Sequence, residues 1–151
     1  MSNKKIVAIC ASISFYKEVV EIKNKLVEMG FGVRIPELAR IMEESGNFDI
    51  ETHRVKFYGK NFHLRKGEEM RRHFDAVAES DAILVVNKPK NGVEGYIGPN
   101  VLMEMGIAFE HRLPIFILNP LDEQANFADE ILAMEPVILA GGLEKIYGQV
   151  C

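Results

Sequence analysis

The chain has 151 residues, 48% of them hydrophobic and 26% charged, with a formal charge of −4. That is enough for one domain with a full core, spanning 1–151, and too little for two. No apolar run approaches the ~20 residues that a bilayer span needs, which excludes a membrane partner of that kind, and the acidic balance argues against a general nucleic-acid binder.

The first apolar run, after Met-Ser-Asn-Lys-Lys, is too short for a signal-peptide core, so residues 5–11 are read as a buried β-strand and a cytoplasmic setting is expected. Cys10 and Cys151 lie at opposite ends and form no metal or redox spacing, so no metal or redox cofactor is expected, and reduced thiols are. Ser12, Ser14, Phe15 and Tyr16 make a loop with two hydroxyls and two aromatics. Residues 17–29 carry Val19, Val20, Ile22, Leu26, Val27 and Met29 at helical spacing, with Gly30 where a C-terminal cap belongs. Residues 32–36 form a short strand, and 37–66 are the least regular part, with one or two short helices plus loop. A helix over 67–79 presents Met70, Phe74, Val77 and Ala78 on one face. Residues 81–87 and 113–118 are strong apolar strands. Between them lies a long loop and a helix opened by Gly98-Pro99-Asn100, whose apolar residues include Met105, Ala108 and Phe109 and whose small Gly106 and Ala108 allow close packing on the sheet. A helix over 121–134 turns Phe127, Ile131, Leu132 and Met134 inward. A final strand over 136–140 and a tail helix over 143–147 complete the chain.

Strands alternating with helices predict a parallel sheet with right-handed crossovers. Five of them predict an α/β, doubly wound, flavodoxin-like domain of strand order 2-1-3-4-5. In such a sheet ligands bind beyond the carboxyl ends of the strands, at the switch in strand order. The loops over 11–16, 87–99 and 119–126 therefore matter. They offer Ser12, Ser14, Tyr16, Asn87, Tyr96, Asn100, Asn119 and Asn126 for a sugar, base or phosphate. Loop 88–98 is long for a strand–helix connection and holds three glycines. Pro99 sits at the first helical position, where the free N–H groups and the helix dipole favour an anion. Glu104 lies on that helix, as a solvent-facing carboxylate or a catalytic one. The fingerprints of dinucleotide-binding, phosphate-loop, zinc-hydrolase and serine-hydrolase enzymes are all absent. Residues 53–73 carry seven Lys and Arg against two Glu, a local +5 against −9 elsewhere. That segment is a solvated face, a cationic lip for a phosphorylated ligand, or a nucleic-acid patch.

The pattern Gly98-x-Asn100-x-x-x-Glu104-x-Gly106-x-Ala108, followed by Pro-Ile-Phe-Ile-Leu-Asn-Pro, resembles the nucleoside 2-deoxyribosyltransferase superfamily. The likeness is clearest over 80–120. That superfamily includes deoxyribosyltransferases and 2'-deoxynucleoside 5'-monophosphate N-glycosidases, and the chain resembles an uncharacterised branch more than the characterised enzymes. It implies that Glu104 is a nucleophile attacking the anomeric carbon of a deoxyribosyl group. It implies an acid on the preceding helix, at His73 or Asp75. Ser12, Ser14, Tyr16, Asn87, Gly98, Asn100 and Asn119 become substrate-binding candidates, and a homo-oligomer, a dimer or larger, is implied. Asn100 stands where the characterised enzymes often have Asp or Ser. Asp81 opens its strand at the end away from the site and is read as a cap. The expected function is cleavage or transfer at the N-glycosidic bond of a nucleoside or nucleoside 5'-monophosphate. The rival readings are a non-catalytic module for a nucleotide or an ADP-ribose-like ligand, and a small flavin-binding redox protein.

Overall fold

Alternating side chains of β1 (Ile6–Ala11) and β3 (Ala82–Val86) enter two separate cores, one on each face of the sheet. Val7, Ile9, Leu84 and Val86 point to one face; Ala8, Cys10, Ile83 and Val85 point to the other. Strands buried on both faces read as continuous apolar runs, which is why these two were legible in the sequence. The structure is a computed structural model that describes residues 3–151. β2 (Gly32–Arg34), β4 (Ile115–Ile117) and β5 (Val137–Ile138) complete a five-stranded, wholly parallel sheet in the order β2-β1-β3-β4-β5. This is the doubly wound, flavodoxin-like architecture that the sequence predicts.

The helices are α1 (Tyr16–Glu28), α2 (Glu37–Ser45), α3 (Ile50–Tyr58), α4 (Phe62–Ala78), α5 (Pro99–Glu110), α6 (Ala128–Ala133) and α7 (Tyr147–Val150). The first core holds Val19, Ile22 and Leu26 of α1 and Leu38 and Met42 of α2. The second holds Val77 of α4, Val101, Met105 and Ala108 of α5, and Ile131 of α6. No helix among the described residues is long and apolar enough to cross a membrane.

Several elements differ from the sequence reading. α4 begins at Phe62 rather than at residue 67, because Gly67 is accommodated within the helix. Its buried residues are Glu69, His73 and Val77, whereas Met70, Phe74 and Ala78 are half-buried. Apolar periodicity assigns charged residues outward, so it misplaced the inner face by about one position. α6 is confined to Ala128–Ala133, since residues 123–127 form turns, and Phe127 and Leu132 are exposed. Gly106 also faces outward: a Cβ there meets nothing within 4 Å, so Ala108 alone makes the close approach to the sheet. Asp81 accepts a hydrogen bond from the Ile6 backbone N–H at 2.8 Å, tying the amino ends of β1 and β3 together.

Candidate functional site

β1 and β3 are neighbours in the sheet, but the chain leaves β1 toward β2 on one side and leaves β3 toward β4 on the other. Their carboxyl ends therefore splay, and a cleft of about 350 Å³ opens between the connections. Ser12, Ile13 and Tyr16 line one wall. Gly98, Pro99, Asn100, Val101 and Glu104 of the α5 entry line another. α3 and α4 close the third with Arg54, Tyr58, Phe62, Lys66, Glu69, Met70 and His73.

Glu104 lies at the foot of this cleft and is 8% exposed. The solvent-facing alternative is thereby excluded. Its Oε2 is the one buried side-chain polar atom among the described residues with no hydrogen-bond partner. Burial drives the carboxyl pKa up to about 8; the nearby Cys10 thiol and the Lys66 charge oppose that rise, and Glu69 reinforces it. Near neutrality the carboxyl is therefore mostly protonated.

His73 Nε2 stands 3.8 Å from Glu104 Oε2, 3.9 Å from Cys10 Sγ and 3.0 Å from the Ile9 carbonyl oxygen. The Ile9 carbonyl can only accept, so it selects the neutral tautomer with the proton on Nε2. Burial holds the His73 pKa down at about 4, although the Ile9 bond works the other way. His73 and Glu104 are thus a neutral pair near pH 7, and their approach is not a salt bridge. Desolvation leaves His73 without an imidazolium near pH 7, which weighs against its expected role as the acid.

The cleft walls combine aromatic and cationic groups. Tyr58 donates a short hydrogen bond to the Glu69 carboxylate, and Lys66 Nζ lies 3.7 Å from the same carboxylate and 5.8 Å from the Tyr58 ring centre. The Tyr58 pKa is raised by burial and by the Glu69 bond. Tyr16 is buried against the cleft, and desolvation, then Glu69 and Glu104, raise its pKa well above the ordinary value. Arg54 stacks on Phe62 at 5.5 Å. Of the seven basic residues over 53–73, Arg54 and Lys66 line the cleft, while Arg72 lines a neighbouring depression that shares Glu69 and His73.

Lys90 supplies a further cation from a different loop. Asn91 and Gly92, both at positive φ (53° and 76°), make a two-residue turn that pairs Lys90 with Val93. The turn brings Lys90 Nζ to 3.1 Å from Ser12 Oγ and 5.0 Å from the Tyr96 ring centre. Behind it, Asn87 and Asn119 clasp the ends of β3 and β4. Asn87 Oδ1 accepts the Asn119 N–H at 2.9 Å, its Nδ2 donates to the Asn119 carbonyl at 2.8 Å, and Asn119 Nδ2 donates to the Asn87 carbonyl at 3.2 Å. Gly95 packs on this clasp: its φ is +62°, and a Cβ would lie 2.4 Å from the Pro120 carbonyl oxygen.

Of the residues singled out from sequence, the cleft brings together Glu104, His73, Ser12, Tyr16, Gly98 and Asn100. Asp75 is exposed on α4 and Ser14 is exposed after β1; neither lines the cleft, because each lies on the outward side of its own turn. Asn87 spends its amide on the Asn119 backbone, Asn119 spends its Nδ2 on the Asn87 carbonyl, and neither side chain lines the cleft. Asn126 is exposed in the turns before α6. Sequence reasoning missed Glu69 and Cys10. Glu69 had a signal, for it stands four residues before His73 and so shares its helix face. Cys10 had none, since its neighbours come from 63 and 94 residues away. The chain matches no protein-family model and no curated protein sequence.

Proposed function

We propose that the cleft cleaves or transfers the N-glycosidic bond of a nucleoside 5'-monophosphate, with Glu104 as nucleophile. The observation that supports this most is the unpartnered Oε2 of Glu104, buried at the foot of a cleft walled by aromatic rings and rimmed by Arg54, Lys66 and Lys90. Membership of the nucleoside 2-deoxyribosyltransferase superfamily, and a homo-oligomeric state with the exposed Met103 and Phe109 of α5 as a contact face, belong to the same proposal.

In this reading the rings of Tyr58, Phe62 and Tyr96 hold the base and ribose, and the cations take the phosphate. The Glu104 carboxylate forms a bond to C1' as the C1'–N bond breaks, and the bonding pair leaves with the base. Solvent water protonates the departing base, and the Glu69 carboxylate, the second acidic group in the cleft, takes up the proton released by the attacking water or acceptor base. Water, or an acceptor base, then attacks C1' and releases Glu104. Tyr16 and Asn100 contact the sugar. Because the attacking form is the carboxylate, kcat/KM rises with pH up to about 8, the pKa of Glu104.

The protonated state of Glu104 near pH 7 favours one rival: a neutral carboxyl that only donates a hydrogen bond to a bound nucleotide. Base release separates the two. The whole chain is incubated with ribo- and deoxynucleosides and their 5'-monophosphates, with and without an acceptor base, in the presence of a chelator. Free base from the monophosphates, lost about a thousandfold or more in Glu104→Gln and reduced in Glu69→Gln, is the expected result. Binding without release, equal in wild type and Glu104→Gln, refutes the enzyme.

A further inference from the structure

Cys10, His73 and Glu104 come from β1, α4 and α5, and one ligand atom from each lies within 4.8 Å of the others. All three side chains are buried, and Glu104 Oε2 has no partner. We propose that this triad is a binding site for a thiophilic divalent cation of the Zn²⁺ class, and that the bound ion shuts the cleft down. The binding needs nothing from the nucleotide reading; the inhibition rests on it, because the ion takes the oxygen that would attack C1'.

The donor set is that of a tetrahedral site, with thiolate, imidazole and carboxylate and a fourth position left for water or a ligand, and two of the three donor residues, His73 and Glu104, line the cleft. In such a site S···N and N···O separations are roughly 3.4–3.6 Å. The 3.9 Å and 3.8 Å separations here close by a few tenths of an ångström, and the third edge, between Cys10 and Glu104, starts from within 4.8 Å. Magnesium and calcium prefer all-oxygen shells and are disfavoured by the sulfur.

The balance is explicit. The ion forms bonds to Cys10 Sγ, His73 Nε2 and Glu104 Oε2. The thiol and carboxyl protons pass to solvent, so two negative ligands meet a charge of +2. The proton on His73 Nε2 moves to Nδ1 and the imidazole stays neutral. The Ile9 carbonyl loses its 3.0 Å donor. That loss and the two displaced protons weaken the site relative to a preformed structural zinc centre, as suits an ion that comes and goes.

Co²⁺ is the probe. Titrated into the whole chain, it is expected to bind once per chain, with a thiolate-to-cobalt charge-transfer band and the intense visible bands of four-coordinate cobalt, all displaced by Zn²⁺. Cys151→Ser, which alters the exposed second thiol, keeps the spectrum. Cys10→Ser loses the charge-transfer band and about 100-fold in affinity, and Glu104→Gln keeps the band but binds at least about tenfold more weakly. Thermal melting checks that each variant is folded, and if Cys10→Ser is not, Glu104→Gln alone decides. Absence of the charge-transfer band in wild type, or its survival in folded Cys10→Ser, overturns the site, as does unchanged affinity in Glu104→Gln. The spectrum does not depend on turnover. Base release in chelator does not depend on the metal, so the two readings fail separately. Where base release is observed, Zn²⁺ is expected to suppress it in wild type, and to do so about 100-fold less potently in Cys10→Ser.

Discussion

Two buried polar clusters sit at the carboxyl end of the sheet, a few residues apart in the strands that carry them, and they are built on opposite terms. In the Asn87–Asn119 clasp both polar atoms of the Asn87 amide, and the Asn119 Nδ2, find partners on the opposite backbone. In the Cys10–His73–Glu104 cluster a carboxyl oxygen of Glu104 has none, and desolvation holds His73 and Glu104 neutral. A satisfied cluster lowers the energy of one fold and is finished. An unsatisfied one carries a desolvation cost that a bound ligand or ion relieves. The first cluster belongs to the scaffold and the second to the site.

The largest effect that sharpens this contrast is on stability at high pH. The folded-state pKa of Glu104 is raised to about 8 from 4.5, so the folded protein retains a proton that the unfolded chain releases. Stability therefore falls as pH rises from about 4.5 to about 8, and the loss is complete above that. Glu104→Gln removes the titration. At pH 9 it is expected to be more stable than wild type by on the order of 4 kcal/mol, and at pH 4 equal to it, as measured by denaturant unfolding in chelator. His73 slopes the other way. Its pKa is lowered to about 4, so its contribution is full above pH 6.5 and is lost as pH falls toward 4. A variant no more stable than wild type at pH 9 breaks the contrast, for Glu104 would then be as well accommodated as the clasp.

The opposite sign is expected for the clasp. Asn87→Ala strands the Asn119 N–H and carbonyl and is expected to destabilise by about 2–4 kcal/mol at any pH from 5 to 9, read by the same unfolding. Smaller again is the rim: Lys66→Ala is expected to raise KM for a nucleoside 5'-monophosphate about tenfold while leaving the free nucleoside within about twofold. Equal loss on both would remove the phosphate from the reading. Asp75→Asn is expected to change neither turnover nor stability measurably, because the carboxylate is exposed and outside the cleft. A tenfold loss of kcat there would return Asp75 to the site.

What was legible in the sequence is what repeats locally. Apolar runs marked β1, β3 and β4, Pro99 marked the start of α5, and the alternation of strands and helices led to the strand order. Glu104 was legible because it lies on the helix that follows the central strand. The burial of Glu69 and His73 was not, since a hydrophobic pattern turns charged residues outward and these two face inward onto a cleft rather than a core. Asn87 and Asn119 looked like ligands for the converse reason, as amides in a loop give no sign of having found each other across 32 residues.

By itself the amino-acid sequence determined the elements, their order and the end of the sheet where a site belongs, because period, capping and apolar runs act over a few residues. Only the tertiary structure decided which polar groups meet. Cys10, His73 and Glu104 converge across 63 and 94 residues because β1 lies beside β3 and because α4 and α5 each present one particular face to that seam. The protonation states of His73 and Glu104 follow from the same convergence, since desolvation depends on what surrounds a group in space and not on what flanks it in the chain.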